Sequence, residues 1–109
     1  MIYEDLSRAR AAHRAAIIAQ QDAANEEAEA QYALDVAEAA AYSALRDAGE
    51  PVTLIPRLAK GDPEVAKARR RAAIAGGVYK AACARTQATY LDWKHADAQF
   101  AREWQSGGM

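Results

Sequence analysis

"GEPVTLIPRLAKGDP", residues 49–63, decides the fold, because it holds all three prolines of the chain between two stretches that read as long helices. Upstream, Ile2 to Ala48 contains neither Gly nor Pro, an uninterrupted helical signal on the order of 70 Å long at 1.5 Å per residue. Gly49 is the natural left-handed residue to end it. Thr53 is placed to cap a short helix, "LIPRLAK", in which Pro56 is tolerated because a first turn needs no internal N–H partner. Gly61 closes that segment. Asp62 and Pro63 then form a start signal: the carboxylate accepts from the free N–H groups of the first turn, Pro presets φ, and Glu64 suits the positive end of the helix dipole. The expected organisation is one helical-hairpin domain over residues 1–109, with a helix over 2–48, a connector with a short helix over 49–62, a second long helix over 63–104 and a frayed tail over 105–109.

Composition agrees with an all-α chain. About half of the residues are apolar, but roughly thirty are alanine, the strongest helix former and one that removes little area from water. Net charge is −1, yet residues 1–50 hold four Arg against ten acids while residues 51–109 hold ten Lys or Arg against five. Halves of opposite sign attract one another in an antiparallel hairpin, and the same asymmetry offers a basic surface to nucleic acid or an acidic one to a basic groove. Cys83 is alone, no secretory leader is visible in "MIYEDLSR", and no apolar run reaches membrane-spanning length. These features predict a cytoplasmic protein without a disulfide.

On the second long helix, Ala68, Ala72, Ala75, Tyr79, Ala82, Thr86, Trp93, Phe100 and Trp104 share an arc of roughly 80°, the core face of an amphipathic helix. The first helix carries a heptad frame through Tyr3, Leu6, Ile17, Leu34 and Leu45, interrupted by Arg10, Gln20, Glu27, Gln31 and Glu38. Pairing residues whose numbers sum to about 111 sets Tyr3 and Leu6 near Phe100 and Trp104. The same pairing sets Tyr32 near Gly76 and Gly77, and suggests an aromatic ring laid over the glycines or a kink there. Ile18, Val36, Ile74 and Leu91 fall off both faces. A lone hairpin has no second core for them, which calls for dimerisation into a bundle or for another protein on that side.

The cations Arg57, Lys60, Lys67, Arg69, Arg70 and Arg71 gather near the connector. A phosphate backbone, a protein surface, or simple solvation and internal pairing would each account for them. Arg69 points away from Lys67 and Arg70, so the charges wrap the helix instead of lining a groove. Asp92 and His95 have an i, i+3 spacing, and His13 can approach from the other helix, but no second carboxylate completes a metal set. Surface histidines are expected, with no metal, no cofactor and no catalytic residue. Cys83 reads as an inert, partly buried thiol.

The stretch from Tyr42 to Ala82, with its "PVTLI" and "LAKGD" connector, resembles a family of small all-helical proteins carried by bacteriophages and prophages. The resemblance implies a small accessory protein acting in a host cytoplasm, where comparable proteins block host defence nucleases, as anti-CRISPR proteins do, or assist DNA recombination. The expected function is a non-enzymatic protein-binding module, homodimeric, that occludes a host nucleic-acid-processing complex. A nucleic-acid-binding protein of phage recombination or replication is the alternative, and a purely structural self-assembling protein a third.

Overall fold

The computed structural model describes residues 1–107 and is all-helical over them, without a strand. The elements are α1 (Ile2–Asp47), α2 (Ile55–Lys60) and α3 (Pro63–Gly107), an order consistent with a helical hairpin. No helix among the described residues is long and apolar enough to cross a membrane. Residues 105–107 continue α3 where a frayed tail was expected, and residues 108–109 lie outside the described residues.

Contacts divide the chain into two compact units. The first joins Met1–Ala23 to the part of α3 from Tyr79 onward, and the second is Ala24–Val78. Each pairs a stretch of α1 with an antiparallel stretch of α3.

The helix ends follow from local chemistry. Gly49 has φ +82°, and the Gly49 and Glu50 amides donate to the carbonyls of Arg46 and Leu45, a Schellman closure that only a residue at ease in the left-handed region completes without strain. At the start of α3, Asp62 Oδ1 accepts from the amides of Glu64 (2.9 Å) and Val65 (3.2 Å). Thr53, by contrast, does not cap α2. Leu54 occupies that position with no side-chain bond, and the Leu58 amide is satisfied by the Leu54 carbonyl.

Both long helices bury a seven-residue frame, the period of a left-handed antiparallel coil. On α1 the buried residues are Leu6, Ala16, Ala23, Ala30, Leu34 and Ala41, with half-buried Ala9, His13, Gln20, Glu27 and Ala37 completing the frame. On α3 the frame starts at buried Val65 and runs through Ala75, Tyr79, Thr86, Thr89, Trp93 and Phe100. The expected frame through Tyr3 and Ile17 is therefore one position off. Ala16 is 2% exposed and its neighbour Ile17 is 40% exposed. A methyl group at the seam lets two backbones approach closely, whereas a branched side chain there would hold them apart. Smallness selected the seam, and the larger residue was left on its flank.

In the second unit, α2 is part of the core. Its Ile55 and Ala59 are buried, and Ala59 joins Leu34, Ala41 and Val65 in a cluster on which Tyr42, Leu45 and Ala68 pack. This shifts the pairing about two turns from the expected register. Tyr3 does meet Phe100, with ring centroids 6.2 Å apart, but His13 meets Thr89 and Ala16 meets Thr86 in the first unit, and Glu26 meets Arg71 in the second. The reason is steric: α2 occupies the surface of the last turns of α1, so α3 cannot begin opposite Asp47. Gly76 accordingly faces Glu27, whose Oε2 would lie 3.5 Å from an added Cβ, while Tyr32 is 68% exposed and covers neither glycine. The helix runs unbroken through both.

Candidate interaction face

The six cations near the connector do not form one patch. Arg71 is committed to Glu26, with Nε and Nη2 each 2.9 Å from Oε1. Arg69 is half-buried beside a hollow shared with Glu38 and Lys60, whereas Lys67 and Arg71 line a different hollow with Glu64. Arg57, Lys60, Lys67 and Arg70 are exposed and make no ion pair with a described residue. Next to them, Val52, Leu54 and Leu58 are exposed.

The four off-face apolar residues are all exposed, Val36 and Ile74 in the second unit, Ile18 and Leu91 in the first. None of the four lies on the flank that carries the aromatic rings: Ile18 and Leu91 stand two residues from the seam positions Ala16 and Trp93, on the outer sides of their helices. Along α1, Tyr3, Arg10 and Ile17 recur one heptad apart on a single flank of the seam, and on α3 Tyr90 and Trp104 lie on one flank two heptads apart. Contacts of His13 with Tyr90 and of Tyr3 with Phe100 bring these two flanks to the same side.

That side carries two groups of rings. His13 lies 5.9 Å from Trp93 in a stack tilted by 14° and 5.7 Å from Tyr90, which meets Trp93 edge-on at 6.0 Å. Phe100 stacks on Trp104 at 6.4 Å, one turn further along α3. Trp104 is 72% and Tyr3 67% exposed at one end of this side, and Tyr90 and Ile17 are exposed two heptads away along their helices. Trp104 was expected in the core stripe. It lies outside because the two-turn shift carries this part of α3 past the last turn it shares with α1.

Hydrogen bonds set the histidine. Thr89 Oγ1 donates its one proton to the Thr86 carbonyl (3.0 Å), so His13 Nδ1, 3.1 Å from the same oxygen, must be the donor between them. His13 is thus a half-buried seam residue, not the surface histidine expected, whereas His95 is exposed. Trp93 Nε1 is buried and has no acceptor among the described residues, an arrangement that costs roughly 1–3 kcal/mol. Beside these rings Arg10, Arg14 and Ile17 line a hollow of about 200 Å³ with His13 and Trp93. Among the described residues no three His, Cys, Asp or Glu side chains come together as a metal ion would require. Cys83 is half-buried.

Sequence reasoning placed Trp93 and Phe100 on the core face, where they do line the seam, but put Trp104 there too and passed over Tyr3, Arg10, Arg14 and Tyr90 as contacts. The heptad recurrence of Tyr3, Arg10 and Ile17 was the available signal, and it was absorbed into a supposed core frame. No family model, curated protein or solved structure matches the chain.

Proposed function

We propose that the protein is a non-enzymatic protein-binding accessory module whose contact surface is the aromatic face of its first unit. The observation that carries this reading is the exposure of Tyr3, Ile17, Tyr90 and Trp104 on one flank of a unit whose own seam is already filled by Leu6, Ala16, Ala23, Trp93 and Phe100. Exposed Trp, Tyr and Arg around an apolar patch is the composition of interface hot spots, and covering such a patch contributes on the order of 25 cal/mol per Å² of apolar area. The mechanism is occlusion: the helices present a preformed surface that a partner buries. The resemblance over Tyr42–Ala82 to phage and prophage proteins supports a partner in the host cytoplasm, and blockage of a defence or nucleic-acid-processing complex, in the manner of an anti-CRISPR protein, is the concrete version. A homodimer through the same face is the other way of covering it.

The test is affinity capture from a host lysate with and without nuclease digestion, repeated with Tyr3→Ser/Trp104→Ser and with Lys67→Glu/Arg70→Glu. A protein partner that survives digestion and is lost only with the first variant, at unchanged helical circular dichroism, supports the face. Capture that neither variant affects removes it.

Exposure of Arg57, Lys60, Lys67 and Arg70 without acidic partners favours one second reading, phosphate binding by an accessory protein of phage recombination or replication. That reading requires retardation of DNA or RNA in a gel that falls steeply with added salt. Salt-independent binding excludes it.

A further inference from the structure

We propose that the hollow beside Arg10 and Arg14 is a carboxylate pocket, built to take an acidic side chain that the partner protein carries next to an aromatic or aliphatic one. This rests on the reading of the first unit as a protein-binding face and names the chemistry of what binds there.

The argument starts from two like charges. Arg10 and Arg14 are one turn apart on α1, a spacing at which equal charges repel, and none of the positions three or four residues from either holds an acid. Both are exposed, and neither forms an ion pair with a described residue. This contrasts with Arg71, which lies across from Glu26 and binds it. Asp97, between Tyr90 and Trp104 on the facing flank of α3, neither pairs with Arg10 or Arg14 nor lines the hollow of about 200 Å³, whose other lining residues, His13, Ile17 and Trp93, bring no negative charge.

The lining fits a carboxylate with an apolar neighbour. Planar guanidinium forks grip carboxylates in pairs of parallel hydrogen bonds, and Ile17 with the ring edges supplies contact for an adjacent hydrophobic side chain. His13 supplies no donor to the carboxylate, because its Nδ1 proton is engaged with Thr89 and Nε2 is then an acceptor, so the two guanidinium groups hold the anion and the imidazole contributes ring contact. A nucleotide fits less well. The His13 and Trp93 rings are stacked on each other, and Tyr90 closes on Trp93 edge-on, so no open pair of ring faces is presented between which a base could insert.

The experiment follows the Trp93 indole N–H by NMR in the full chain, assigned with a Trp104→Phe variant. The probes are N-acetyl-aspartyl-phenylalanine amide, its asparaginyl counterpart and uridine 5′-monophosphate. The expected result is a saturable shift with the aspartyl peptide, about tenfold weaker binding of the asparaginyl peptide, and loss of the response in Arg10→Gln/Arg14→Gln. Arg14→Lys, which keeps the charge and removes the fork, should weaken the response several-fold and serves if the double variant does not fold. Equal binding of the two peptides, no saturation, or tighter binding of the nucleotide overturns the proposal. A Trp93 shift that follows the protein's own concentration assigns the pocket to a second copy and overturns it too. If Tyr3→Ser/Trp104→Ser abolishes partner capture while the peptides give no response, the face stands and the pocket falls.

Discussion

His13 Nδ1 donates to Thr89 Oγ1 across 3.1 Å, joining two residues 76 positions apart in the chain through a hydroxyl whose own proton goes to the Thr86 carbonyl. The bond ties α1 to α3 at one height of the seam and decides which imidazole nitrogen remains free. Thr89→Val keeps the shape and removes the acceptor, leaving a half-buried N–H unpaired. It should cost about 1–3 kcal/mol in urea unfolding, with Thr89→Ser recovering most of the loss. Equal stability of the Val variant would show that water satisfies His13.

The seam assignment is tested by size. Ala30 is fully buried and Ala16 nearly so, whereas Ile17 is on the flank. Ala30→Leu should destabilise by about 1–3 kcal/mol through overpacking, while Ile17→Ala should cost less than about 1 kcal/mol, the reverse of what a frame through Ile17 requires. Thermal unfolding of the two variants distinguishes the frames.

Glycines at two sites should respond with opposite signs. An added Cβ at Gly77 meets nothing within 4 Å, so Gly77→Ala should stabilise the helix by about 1 kcal/mol. Gly49 also has open space, but its φ of +82° makes Gly49→Ala destabilising by about 1–2 kcal/mol. Chemical denaturation measures both.

Removal of the Asp62 carboxylate frees the amides of Glu64 and Val65 at the first turn of α3. Asp62→Ala should cost about 1 kcal/mol and Asp62→Asn much less, since an amide oxygen still caps. Faster hydrogen exchange at Glu64 and Val65 in the Ala variant alone would locate the effect.

The sequence by itself determined the helices and their ends. Alanine-rich stretches, free of Gly and Pro in α1 and broken only by Gly76 and Gly77 within α3, have no competing local structure, Gly49 takes the left-handed conformation that closes α1, and Asp62 with Pro63 starts α3, all by interactions within a few residues. Tertiary structure alone decided the register and the face. The pairing depends on α2 lying against the last turns of α1, a long-range packing choice that no local propensity contains. It also depends on close approach of backbones, which favours Ala16 over Ile17 at the seam although hydrophobicity ranks them the other way. Hydrophobic pattern alone could not separate the seam from its exposed flank here, because Ala16 displaced Ile17 from the seam and the register carried Trp104 past the last turn of α1.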